Sequence, residues 1–263
     1  MKTESKIAFT VFGTGMTDTG RARAHNEDAI AWDVPHGLAL LADGMGGHNA
    51  GDVASRLCLE TLNKVLLPAL EKPLRLRPNK NMSQHATLVR RSVNKANSAI
   101  FENAEANPER KGMGTTLVMV LFYEDKVVVA HVGDSRVYRL RGRKLEQITT
   151  DHSLVRELLE KGAISAEEAE NNPYNHVITK AVGVRPKVTA EVQELETQAG
   201  DVFMLCSDGL TDLVSDADIE EALAAFAGNW ERAAQRLIDL GNNNGGRDNI
   251  SVVIAALGGP VDL

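Results

Sequence analysis

Three apolar runs in this sequence end in the same way: LALLA runs into Asp43-Gly44, VVVAHVG into Asp134-Ser135, and VFMLCS into Asp208-Gly209. A carboxylate at the end of a buried strand stands on a rigid mount at the rim of a sheet, where a ligand can reach it. Asp-Gly alone is an ordinary turn dipeptide, so no one of these runs decides anything. Two further acidic clusters change the weight: Asn26-Glu27-Asp28 enters a strand-like run, and Arg247-Asp248-Asn249 precedes the last one. Carboxylates brought together repel and are costly to desolvate unless a cation neutralises them, and an all-oxygen ligand set suits Mg²⁺ or Mn²⁺. His25, His48, His131 and His152 lie near acidic motifs but show no His-Glu-x-x-His spacing, which argues against zinc.

Such a rim needs strands that end on it and helices that cover the sheets. Lys6 to Phe12, Asp28 to Val34 and Gly37 to Ala42 read as short strands, the last two joined at Pro35-His36. Ala50, Val53, Ala54, Leu57, Thr61, Leu62 and Val65 recur at helical spacing, with Pro68 where that helix should stop. A connection with Pro73 and Pro78 follows, and Val89, Val93, Ala96, Ile100 and Ala104 mark a second helix. Thr115 to Ile148 is β-rich, with Glu124-Asp125 and Arg141-Gly142 placed as hairpin turns. Ser153 to Asn171 reads as helical and Asn171 to Arg185 as an irregular polar excursion, so 153–185 is a candidate flap. Val188, Ala190 and Val192 alternate with polar residues as a half-buried strand does, and Val202 to Cys206 is continuously apolar. Helical patterns at Asp216 to Phe226 and Trp230 to Leu240 precede a closing strand, Ile250 to Leu257. Strands separated by helix pairs, without regular βαβ alternation, predict an α+β fold of packed antiparallel sheets with helices outside; a four-layer α-β-β-α sandwich is one solution.

At 263 residues and 43% hydrophobic content the chain can bury a large core, and we expect a single domain over 1–263. Lys and Arg number 29 against 36 Asp and Glu, a net charge of −7, without the basic excess of a nucleic-acid binder. Cys58 and Cys206 fall in apolar patterns and read as buried free thiols. No signal-like stretch or membrane-length run occurs, so the expectation is a soluble cytoplasmic protein without a membrane partner. Other enzyme readings fail on spacing. Met45 stands where a D-x-G-x-G nucleotide loop needs glycine, and Asp18 stands where Gly13-Thr-Gly15 would need the third glycine of a dinucleotide fingerprint, which leaves that segment a loop.

The segments Arg23-Ala-His-Asn-Glu-Asp28, Asp43-Gly-Met-Gly-Gly-His48, Gly114-Thr-Thr-Leu, Val132-Gly-Asp-Ser-Arg136, Ser207-Asp-Gly-Leu-Thr-Asp212 and Arg247-Asp-Asn-Ile-Ser251 occur in that order. With these the chain resembles the type 2C protein phosphatases in their bacterial form, from about Gly20 to Val253. The resemblance implies a β-sandwich flanked by helices and a dinuclear Mn²⁺ or Mg²⁺ centre that hydrolyses phosphoserine and phosphothreonine in proteins. It implies Asp43 as the carboxylate bridging both metals, the Gly44 carbonyl on one of them, and Asp208 and Asp248 on the other. Asp28 and Glu27 would hold metal-bound waters, Asn249 would support the ligands from behind, and Asp134 would hold a weaker third metal shared with Asp208. Arg23 would grip the substrate phosphate with a planar, always charged fork.

One departure bears on proton donation. Animal relatives place a histidine directly after Asp-Gly, whereas here Met45 stands there and His48 comes later; His48 or a metal-bound water is the candidate acid. The expected partners are phosphorylated proteins and a Ser/Thr kinase whose work is reversed, with the enzyme a monomer. A catalytically inactive phosphoprotein-binding regulator on the same fold is the alternative.

Overall fold

Alternation of side chains along strands decides which residues meet in this molecule, a computed structural model that describes residues 7–46, 50–76, 82–170, 172–174 and 176–260. The strands are β1 (Phe9–Asp18), β2 (Asp28–Asp33), β3 (Leu38–Met45), β4 (Gly114–Thr115), β5 (Leu117–Tyr123), β6 (Lys126–Val132), β7 (Arg136–Arg141), β8 (Lys144–Gln147), β9 (Glu191–Glu196), β10 (Val202–Cys206) and β11 (Ile250–Pro260). The helices are α1 (Ala50–Leu70), α2 (Gln84–Ala106), α3 (Leu154–Glu160), α4 (Ala166–Glu170), α5 (Asp208–Thr211), α6 (Asp216–Ala225) and α7 (Trp230–Asn243). One antiparallel sheet has the order β1-β11-β10-β7-β8; the other runs β2-β3-β5-β6-β9, with β4 beside β3. The expected α+β sandwich of antiparallel sheets flanked by helices is what forms.

Three apolar layers hold it together. Leu38, Leu40 and Ala42 of β3 face α1 and α2, where Leu62, Leu66, Val93 and Ile100 pack. The alternate residues Ala39 and Leu41, with Val118 and Val129 of the same sheet, face the other sheet, against Phe203, Leu205, Val253 and Ala255. Met204, Cys206, Val252 and Ile254 turn outward to α6 and α7, which contribute Ile219, Leu223, Leu237 and Ile238. Each of these side chains is buried, so removing one to alanine costs roughly 2–5 kcal/mol for a Leu or Ile.

Several boundaries differ from the sequence reading, each for a packing reason. β1 runs on through Gly13-Thr-Gly15, which is strand and not loop. The glycines there make room for a tryptophan: a Cβ at Gly13 would lie 2.9 Å from Trp32 Cδ1 and one at Gly15 2.8 Å from Trp32 Cζ3. β3 continues past Ala42 through Asp43 and Gly44, because β4 pairs with it there. α1 passes Pro68 and ends at Leu70, since Leu67, Ala69 and Leu70 still find apolar partners. β9 begins at Glu191, although Val188 and Ala190 before it already pack on the α1-α2 layer. The hairpin turns fall as predicted, with Glu124 (φ 48) and Gly142 (φ 64) in the left-handed region.

The excursion over 153–185 carries α3 and α4 and is closed at its base. Leu154 N–H donates to Val177 O and Thr179 N–H to His152 O, each at 2.8 Å. Further on, Val182 and Thr115 exchange backbone hydrogen bonds at 2.8 and 3.0 Å, which pins the return to β4.

Candidate metal centre

Asp28 of β2 and Asp43 of β3 are cross-strand partners, and both continue the inward-facing parity of their strands. Ser207, after β10, and Ser251, in β11, have the same parity on the opposite sheet. The apolar layer between the sheets therefore ends at this rim in polar groups supplied from both sides. Ser207 and Ser251 hydroxyls donate to Asp28 Oδ2 at 2.9 and 2.6 Å. Behind Ser251, Thr17 Oγ1 lies 2.7 Å from its hydroxyl and itself accepts from Asn26 Nδ2 at 2.7 Å, so a chain of donors leads to one carboxylate oxygen.

The other oxygen, Asp28 Oδ1, is buried with no hydrogen-bond partner among the described residues. Burial, joined by the charges of Asp208 and Asp248, pushes the Asp28 carboxyl up to about 7. Burial also holds Asp43 well above the ordinary carboxylate range, with the charges of Asp28, Asp208 and Asp134 adding to it and the Asp208 side chain within hydrogen-bond reach. Asp208, the first residue of α5, is raised to about 6 by burial and by Asp212 and Asp248. Asp134 is raised to about 8 by burial and by Asp208. So many mutually opposed, desolvated carboxylates make an environment that a hard cation would relieve, and the oxygen donors suit Mg²⁺ or Mn²⁺.

The surrounding backbone is fixed around this cluster. Asp43 N–H donates to Thr116 Oγ1 at 3.0 Å, and Asp43 O accepts from Thr115 Oγ1 at 2.8 Å and from Thr116 N–H at 2.8 Å. Thr116 and Ser135 hydroxyls are 2.7 Å apart, which links the Asp43 strand to the Asp134 turn. Gly44 admits no side chain: a Cβ would lie 2.1 Å from Gly51 O and 2.6 Å from Glu27 O. Asn249 ties the entering loop, accepting from Glu27 N–H at 2.9 Å and donating to Thr19 O and His25 O at 2.9 and 3.0 Å. Arg23 Nη2 lies 2.6 Å from Asp248 Oδ2; this hydrogen bond, opposed by some burial, raises the guanidinium further. Its remaining donors stay at the exposed side of the rim.

Asp28, Asp43, Gly44, Asp208, Asp248, Glu27, Asn249, Arg23 and Asp134 thus meet in one place. His48 lies outside the described residues. The sequence reading passed over Ser207, Ser251 and Asp212. The serines stand inside the quoted motifs and could have been found by strand parity; Asp212 follows Asp208 by one helical turn and is itself raised, chiefly by burial. Beside the rim opens a cleft of about 300 Å³ lined by His176 from the flap segment, Gly209, Asp212, Leu213, Arg247 and Asp248.

Residues 18–240 match the family described as Protein phosphatase 2C. The chain is 39% identical over 241 residues to the serine/threonine phosphatase stp of Listeria monocytogenes, covering 90% of this chain and 92% of that protein. It is 39% identical over 254 residues to the serine/threonine protein phosphatase PstP of Mycobacterium tuberculosis, covering 95% of this chain and 46% of that one. The crystal structure of the M. tuberculosis phosphatase superposes with a TM-score of 0.84 at 37% identity, covering 95% of this chain and 99% of that chain. A structure of the PstP catalytic domain in complex with two manganese ions gives a TM-score of 0.81 at 37% identity, with the same coverage.

Proposed function

The chain belongs to the protein phosphatase 2C family, and on that premise we propose that it hydrolyses phosphoserine and phosphothreonine in proteins with Mn²⁺ or Mg²⁺ held on the carboxylate rim. The observation that carries the reading is the convergence of Asp28 and Asp43 from one sheet with Asp208 and Asp248 from the other, with Asp28 Oδ1 unpartnered. Asp43, the Gly44 carbonyl, Asp208 and Asp248 would hold two ions, Asp28 and Glu27 would order the water around them, and Asp134 would share a weaker third with Asp208. The ions supply Lewis acidity, lowering the pKa of water and offsetting the charge of the phosphoryl oxygens.

The protein's own part is positioning. Ser207 and Ser251 fix the Asp28 carboxylate, Thr115 and Thr116 fix Asp43, and Asn249 fixes the loop that carries Glu27 and Arg23. Arg23 can turn from Asp248 to a phosphate and present two parallel donors to it. His48 is the candidate donor of a proton to the leaving serine or threonine oxygen.

Substrates are phosphorylated proteins, as the naming of its bacterial relatives as serine/threonine and protein phosphatases suggests, and such an enzyme would oppose a Ser/Thr kinase in a bacterial signalling pair. A single phosphatase domain over 1–263 is proposed, supported by the one family model that matches residues 18–240, and the chain is proposed to act as a monomer. Buried free Cys58 and Cys206 suit a reducing cytoplasm, and no described helix is long and apolar enough to cross a membrane.

The test is phosphate release from a phosphothreonine peptide, with and without Mn²⁺, for the native chain and for Asp208→Asn. Metal-dependent turnover in the first and none in the second is expected. Turnover that persists in EDTA would overturn the reading.

A further inference from the structure

Where β6 pairs with β9, three residues meet that the metal centre does not use. His131 and Glu191 are cross-strand partners in β6 and β9, and the His152 ring stacks on the His131 ring with centroids 4.6 Å apart and planes at 9°. Their ligand atoms lie within 4.8 Å of one another, close enough to suggest a cation. The hydrogen bonds argue otherwise. Gly133 N–H donates to His152 Nδ1 at 3.0 Å, so the proton of the neutral ring sits on Nε2, which donates to Glu191 Oε1 at 2.7 Å. His131 Nε2 likewise donates to Thr150 O at 2.8 Å. Both nitrogens that face Glu191 carry protons, and the cluster is a hydrogen-bonded frame.

What that frame holds is the turn before Asp134. His152 grips Gly133 twice, accepting from its N–H through Nδ1 and donating its own backbone N–H to Gly133 O at 2.9 Å. Gly133 has φ +104, and a Cβ there would lie 2.7 Å from Thr116 Cγ2, so the turn is confined between Thr116 and His152. His152 O in turn accepts from Thr179 N–H where the flap segment returns. Glu191 holds the far end of the imidazole, with Lys180 Nζ 3.4 Å from the same oxygen.

We infer that His152, oriented by Glu191, is a positioning residue for Asp134, fixing the turn from which that carboxylate meets Asp208 and tying it to the base of the flap. The inference rests on the metal-phosphatase reading and deepens it. Outer partners of metal-binding groups set affinity by roughly 10–100-fold, which is the scale expected here.

The experiment is calorimetric titration of Mn²⁺ into the full chain and into His152→Ala, His152→Asn, Asp134→Ala and the His152→Ala/Asp134→Ala double variant. The native chain should show a weaker class of site beside the tight one, and Asp134→Ala should lose it. His152→Ala should weaken that class by roughly 10–100-fold and leave the tight class intact. Asparagine places an oxygen near Nδ1 as acceptor and should recover binding to within a few-fold. The double variant should match Asp134→Ala, because one residue acts through the other. The inference fails if the native chain has no weaker class, if His152→Ala leaves it unchanged, if tight and weak classes fall together, or if the two effects add. Should His152→Ala not fold, Glu191→Ala, which removes the acceptor for His152 Nε2, takes its place, and an unchanged weak class there overturns the inference. A native chain that binds Mn²⁺ in both classes but does not hydrolyse a phosphopeptide would defeat the phosphatase reading and leave this one standing.

Discussion

Removing a ligand should make the metal-free protein more stable. Asp208 is half-buried, and its carboxyl is raised from 3.8 to about 6 by desolvation and by Asp212 and Asp248. A folded-state value above the unfolded one means a contribution fully present below about pH 4 and lost as pH rises through about 6. The difference of about 2 units corresponds to roughly 3 kcal/mol at pH 8. Asp208→Asn removes the charge yet keeps an oxygen to accept from Asp43. In EDTA at pH 8 the variant should therefore melt above the native chain, by roughly 6–12 °C at about 2–4 °C per kcal/mol. The gap should close toward pH 4, where the native carboxyl is neutral too. Saturating Mn²⁺ should reverse the order, because ligand binding stabilises by mass action only the chain that retains its ligands. Thermal melts at pH 4, 6 and 8, with EDTA and with Mn²⁺, measure all of this. A variant that melts below the native chain in EDTA at pH 8 would refute the reasoning, as would a gap that does not depend on pH.

Ser251→Ala removes the 2.6 Å donor to Asp28 and should cost about 1–2 kcal/mol of stability in EDTA and weaken Mn²⁺ binding; an unchanged melt and isotherm would contradict the donor chain. Arg23→Ala should raise KM for a phosphopeptide roughly tenfold or more with a smaller change in kcat, and lysine should restore it only in part; equal loss in kcat and kcat/KM would move Arg23 to the transition state alone. Replacing 154–177 by a short linker across its closed base should alter preference among phosphopeptides more than turnover of a small aryl phosphate; equal loss on both would remove the flap from substrate selection. His48→Gln should remove the basic limb of the pH–kcat profile, and a profile that keeps it would leave proton donation to another group.

Most of the sandwich was legible because its strands are bounded by strong turn signals and its helices by clear periodicity, as with Val202–Cys206, read to the residue. Asp43, Asp134 and Asp208 were legible because each follows an apolar run, and Asp28 and Asp248 because each stands before one, but convergence across two sheets could be expected only from the ordered motifs. The failures lie where tertiary contact overrides local signal. Gly13 and Gly15 look like loop until Trp32 is seen to need their missing side chains, and Asp43-Gly44 looks like a turn until β4 pairs beside it. His152 and Glu191 are 39 residues apart, and nothing local marks them as partners.

Asp28 and Asp43 belong to one leaf of the sandwich, Asp208 and Asp248 to the other, and below the hydroxyls of Ser207 and Ser251 the leaves meet over a layer of hydrocarbon. Hydrocarbon contact resists separation but offers little resistance to sliding, whereas a cation bound to carboxylates of both leaves resists shear in every direction. The divalent ions of this enzyme would then act as rivets as well as reagents: chelation should loosen the register of the two leaves at this edge first, leaving the opposite edge, where Arg141 Nη2 of one leaf donates to Glu196 O of the other at 3.1 Å, as the last to part.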